Sequence, residues 1–84
     1  MVRVLYFASV REAVGTGEEL IDVPPDIATV EALVDWLATE SNAHRAAFAD
    51  RGRLRAALDG RFVPLTSELG HPREVALFPP VTGG

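Results

Sequence analysis

The chemistry this chain can offer is concentrated at its end, in Phe78-Pro79-Pro80-Val81-Thr82-Gly83-Gly84. Two prolines hold the exit from an apolar run in an extended form, and the glycines beyond carry no Cβ to obstruct a narrow passage. Six residues at ~3.1–3.4 Å each reach about 20 Å, far enough to thread a buried active site. The reactive group on such a tail is the Gly84 α-carboxylate, with Gly83 beside it. A carboxylate is ionised at neutral pH and is a poor electrophile. It therefore needs an external activating enzyme, with ATP as the source of a leaving group.

The rest of the catalytic inventory is thin. There is no cysteine, which removes disulfides, thiolate metal sites, persulfide chemistry and a cysteine nucleophile from this chain. His44 and His71 stand far apart without the spacing of a metal motif, so both are expected to be surface or loop histidines, and no metal site is expected. Glu18 and Glu19 are adjacent, and on a strand they point to opposite faces, which prevents their acting as a carboxylate pair. No phosphate-binding glycine loop and no nucleophile elbow is present. Arg51, Arg53 and Arg55 recur at period two and would line one strand face, either as a solvated, charge-guarded edge or as a dock for an acidic partner.

The formal charge is −4 and all eight basic residues are arginine. An acidic chain without lysine is a poor counterion for phosphate backbones, so nucleic acid is not an expected partner. It also offers no side-chain amine to an activated carboxylate. No apolar run approaches the ~18–20 residues of a membrane span, and no signal-peptide pattern opens the chain. A cytoplasmic address with no membrane partner is the expectation.

The elements that must position the tail are short. Val2 to Ala8 reads as a strand with Val2, Val4 and Tyr6 on one face and Arg3, Leu5 and Phe7 on the other. Ser9-Val10-Arg11-Glu12 has the spacing of a capping box opening a helical turn that Gly15-Thr16-Gly17 stops. Glu18 to Val23 reads as a second strand, closed by Pro24-Pro25. Thr29 is the expected N-cap for a helix whose Val30, Leu33, Val34 and Leu37 fall on one stripe, with Trp36 on its flank. Ala46-Ala47-Phe48-Ala49 suggests a further helical turn. Arg53 to Leu58 and Arg61 to Leu65 form a hairpin around Asp59-Gly60, and Glu74 to Phe78 is the last strand. With 84 residues the chain makes one domain, 1–78, followed by an extended tail, 79–84. One main helix cannot cover both faces of so wide a sheet, so the second face is open to water or to a partner.

Val4-Leu5-Tyr6-Phe7-Ala8 followed by Val10-Arg11-Glu12, then Thr29-Val30-Glu31-Ala32-Leu33, then Glu74 to Gly84, resemble the small, sulfur-carrier subunits of molybdopterin synthase, the MoaD family. The resemblance runs over essentially the whole chain, and its last segment is the most specific. It implies an α+β, ubiquitin-like β-grasp fold: a mixed sheet of about five strands, one main helix on one face and an extended tail. It also implies the chemistry. An E1-like adenylating enzyme joins AMP to Gly84, sulfur is delivered to give a thiocarboxylate, and the large synthase subunit receives the tail. Two such sulfurs convert cyclic pyranopterin monophosphate to the dithiolene of molybdopterin. Matched residue by residue, Gly84 is the adenylated and thiocarboxylated position, with Gly83 its neighbour in the tail. Phe7, Phe62 and Phe78 match an apolar patch that meets both partners, and Pro79, Pro80, Val81 and Thr82 belong to the partner-bound tail.

The small subunit would have no turnover alone and no bound cofactor. ATP would be used by the adenylating enzyme, and the synthase would be a heterotetramer. Carriers for thiamine biosynthesis or tRNA thiolation, and a ubiquitin-like modifier or binding module, are the alternatives. Family members often carry Asp-Gly-Asp-Glu-Val before the last strand and an asparagine after the third. Here Gly70-His71-Pro72-Arg73-Glu74-Val75 and Asp59-Gly60 stand in those places, departures that touch loop contacts rather than the tail.

Overall fold

The structure, a computed structural model, describes residues 1–80. Strand β1 (Val2–Tyr6) leads into helix α1 (Ala8–Val14), then β2 (Glu18–Ile21), α2 (Val30–Leu37) and α3 (Asn42–Ala47). A 3₁₀ turn (Arg51–Arg53) precedes β3 (Arg55–Leu58), β4 (Arg61–Val63) and β5 (Glu74–Phe78). The five strands form one mixed sheet in the order β2-β1-β5-β3-β4. The central pair, β1 and β5, runs parallel and the other pairs run antiparallel. This is the β-grasp arrangement that the resemblance implies.

Register decides which face each residue takes. Val4 lies opposite Val75 and Tyr6 opposite Leu77, and Ala56 lies opposite Leu77 on the other side. All five are buried, together with the whole apolar stripe of α2, namely Val30, Leu33, Val34 and Leu37. Complete removal of such side chains from water contributes ~1.5–3 kcal/mol each, so this layer is what holds the domain together. The start of α2 is closed from three sides. The Thr29 hydroxyl accepts from the Ala32 N–H at 3.0 Å, and the Val30 and Glu31 N–H groups donate to the Ser67 and Leu65 carbonyls. These partners take up N–H groups that a helix start leaves unpaired.

Several expectations need correction. Ser9 lies inside α1, whose N-cap is Phe7 with no side-chain cap. Ala8 turns the chain with φ +51°, and the Phe7 carbonyl accepts from the Val10 and Arg11 N–H groups, so the helix opens before the supposed capping box. For the same reason β1 stops at Tyr6. Strand β2 ends at Ile21 and β4 at Val63. Arg51 and Arg53 are on no strand, because Asp50 caps a 3₁₀ turn there through the Gly52 N–H. Strand β3 is interior, between β5 and β4, and is not an edge. Phe48, just past α3, is fully buried in the core. Among the described residues no helix is long and apolar enough to cross a membrane.

Candidate functional site

The open face of the sheet takes its shape from side-chain size. On β5, Val75 and Leu77 turn to the core, which sends Ala76 and Phe78 outward. Ala57 on β3 faces Ala76 on one side and Phe62 of β4 on the other. The middle of the face is therefore a floor of methyl groups, and larger side chains stand around it. The resulting hollow, about 550 Å³, is lined by Phe7, Ala57, Phe62, Ala76, Phe78 and the Pro79-Pro80 pair. Phe62 is 81% exposed and Phe7 47%. Side chains this apolar, exposed and clustered around one depression, form a contiguous apolar patch and a candidate docking surface.

Phe78 differs from the expectation of full exposure. It is half-buried, because its ring packs on Phe62 with centroids 5.5 Å apart and planes inclined by 46°. The two rings belong to strands that are not neighbours. They meet across β3 because Ala57, on the intervening strand, has too small a side chain to separate them.

Phe7, Phe62, Phe78, Pro79 and Pro80 are thus brought together at one site. Pro79 and Pro80, the last described residues, line the hollow as well. Val81, Thr82, Gly83 and Gly84 lie outside the described residues. Sequence reasoning missed the floor residues Ala57 and Ala76. Their signal was present, since small residues at outward positions of two adjacent inner strands leave room for something else.

The main cluster of titratable side chains among the described residues lies on the opposite face. The Tyr6 hydroxyl donates to Glu19 Oε1 at 2.8 Å, and His44 Nε2 donates to the same oxygen at 2.7 Å. Ser41 Oγ, the α3 cap, lies 2.7 Å from His44 Nδ1. His44 is therefore not a free surface histidine, as only 12% of its side chain is exposed. Burial pushes the Tyr6 phenol far above its ordinary value, helped by the hydrogen bond and charge of Glu19 and the charge of Glu40. Burial acts on Glu19 in the same sense, but the hydrogen bonds from His44 and Tyr6 and the charge of His44 together outweigh it. Its carboxyl sits below the usual glutamate value. Both bonds converge on Oε1, so this carboxylate is engaged as a structural junction. It ties α3 to β1 and β2. His71 is an exposed loop residue, and among the described residues no three ligand-type side chains gather as a metal site would need.

Residues 4–84 match the model of the ThiS family. Over the full length of both chains, the sequence is 45% identical to the molybdopterin synthase sulfur carrier subunit of Escherichia coli (strain K12). It is 38% identical to the subunit of the same name from Haemophilus influenzae, again with all of both chains covered. Among solved structures, the crystal structure of SAMP1 from Haloferax volcanii is similar with a TM-score of 0.70 at 29% identity, covering 99% of this chain and 98% of that one.

Proposed function

The chain belongs to the ThiS family, and on that footing we propose that it is the sulfur-carrier small subunit of a molybdopterin synthase, working in molybdenum cofactor biosynthesis through its own C-terminus. The observation that carries this reading is geometric. The tail's exit, Pro79-Pro80, forms the edge of the apolar hollow made by Phe7, Phe62 and Phe78. A partner that covers the hollow therefore takes hold of the domain where the tail begins, and docking and delivery become one event.

The chemistry proceeds at Gly84. An E1-like enzyme joins AMP to the carboxylate as the α–β bond of ATP breaks and pyrophosphate leaves, which turns a poor electrophile into a mixed anhydride. Hydrosulfide then forms the C–S bond as the C–O bond to AMP breaks, releasing AMP and leaving a thiocarboxylate. Glycine at 83 and 84 presents no side chain to the walls of the channel that receives it. The large subunit supplies the substrate pocket and the acid–base groups for sulfur insertion into cyclic pyranopterin monophosphate, and the assembled synthase is a heterotetramer. The small subunit has no turnover alone and holds no cofactor of its own. Its activation draws on ATP through a partner enzyme, which places its work in the cytoplasm.

Tail length tests the proposal without touching the fold. Deleting Gly84, or adding one alanine after it, moves the carboxyl group by about 3.3–3.6 Å, whereas near-attack geometry tolerates roughly 1 Å. Conversion of the cyclic pterin by the reconstituted synthase should collapse in both variants while their melting temperatures stay at the wild-type value. An extended variant with undiminished conversion would contradict the reading.

A further inference from the structure

The sequence run Arg51, Arg53, Arg55 separates in the structure into one neutralised cation and two free ones. Arg51 Nη1 donates to Asp35 Oδ1 at 2.6 Å and its Nε to the Phe48 carbonyl at 2.7 Å. Arg53 and Arg55 are exposed, and among the described residues neither forms an ion pair with a carboxylate. Both sit at the end of the sheet from which the tail departs. Arg55 lies opposite Phe78 in the β3–β5 register and borders a depression shared with Phe62 and Phe78. Arg53 borders another that contains Pro79. The Arg55 guanidinium is held by the Gly52 and Leu54 carbonyls at 3.0 and 2.9 Å through one nitrogen, which leaves its remaining N–H donors available. Asp50, the carboxylate bordering the same depression as Arg53, accepts from the Gly52 N–H.

In a chain of net charge −4, two guanidinium groups with no carboxylate partner among the described residues thus stand beside the Phe78–Pro79 end of the sheet, next to the apolar hollow. We infer that Arg53 and Arg55 form a cationic rim that engages carboxylates on the large subunit around the mouth of the channel that takes the tail. This rests on the carrier reading above. The apolar hollow supplies affinity, and the rim supplies approach rate and orientation, which is what charges at the margin of an interface govern. The rim is continuous with the hollow through Phe78 and Pro79, so one partner surface covers both.

The test compares Arg53→Glu and Arg55→Glu with Arg73→Glu, which makes the same change in net charge next to the start of β5, at the sheet end remote from Phe78. Association with the cognate large subunit is followed by stopped-flow at low and high salt, and melting is recorded on the same samples. Each rim variant should associate about tenfold more slowly at low salt, with the deficit shrinking as salt screens it. Arg73→Glu should stay within about twofold of wild type. If Arg55→Glu lowers melting, Arg55→Gln keeps the test open, with a slowing of about threefold expected. Rim variants indistinguishable from Arg73→Glu, with wild type binding normally, would overturn the inference alone. Wild type that fails to bind the large subunit would overturn the carrier reading and the rim with it.

Discussion

Phe62 is held in water with 81% of its surface exposed, and its neighbour Phe78 lies half-buried beneath it. The two rings should therefore respond differently to truncation. Phe62→Ala removes almost nothing from the core, so its stability should stay within about 0.5 kcal/mol of wild type. Its affinity for the large subunit should fall by ~2 kcal/mol or more, about thirtyfold. Phe78→Ala should lose comparable affinity and also about 1–2 kcal/mol of stability from the surface it buries. Melting and binding measured on one sample separate the two, and a steep fall in the melting temperature of Phe62→Ala would contradict the patch. Period-two alternation was enough to place Phe7 and Phe78 on the outward face, because that pattern is local. The partial burial of Phe78 was not legible, since it depends on a ring two strands away meeting it over Ala57.

Helix α2 and the Asp59-Gly60 hairpin could be read from sequence because their causes are local. One is an apolar stripe behind a threonine cap. The other is a pair of positive-φ residues, at +49° and +83°, suited to a tight hairpin. The Asp59 carboxylate also accepts from the Arg73 and Glu74 N–H groups at 2.9 and 3.0 Å. It thereby fastens the start of β5, a role that only the folded chain displays. Helix α3 was legible only in part, as a turn over Ala46-Ala47-Phe48-Ala49. Its six residues (Asn42–Ala47) carry no long apolar stripe and start at a local Ser41 cap, but the bond from His44 to Glu19 that ties them to the sheet is one that no local pattern announces. The Arg51–Arg53 turn misled for a related reason, since a period-two run of arginines also fits a 3₁₀ turn capped by Asp50.

The Glu19 junction has a pH signature. Its carboxyl is lowered in the folded state, so the unfolded chain binds the proton first, and stability falls as pH drops from the ordinary glutamate range through the folded value. Above that range the stabilisation is complete. Glu19→Gln should cost about 1 kcal/mol at pH 7, the carboxylate being partly exposed and screened. The gap to wild type should narrow below about pH 4. Urea unfolding at pH 7 and pH 3 measures it, and a constant gap would show that Glu19 does not stabilise through its charge.

At the scale of the whole molecule, the two faces of one sheet divide the work. The inner face, with α2 and the Tyr6–Glu19–His44 junction, holds the domain together. The outer face gathers Phe7, Phe62 and Phe78 around one hollow together with Pro79-Pro80. This division was anticipated from one helix set against a wide sheet, because helix and sheet widths are fixed by general geometry. The shape of the hollow was not, because it depends on which strands lie side by side. In the proposed function the reacting group is the Gly84 carboxylate. Intact-mass spectrometry tests it most directly, after incubation with ATP, the cognate adenylating enzyme and a sulfur source. Replacement of a single oxygen by sulfur, mapped to the C-terminal glycine and lost when ATP is omitted, is the predicted result. An unchanged mass in the presence of an adenylating enzyme shown to be active on its own carrier would contradict it.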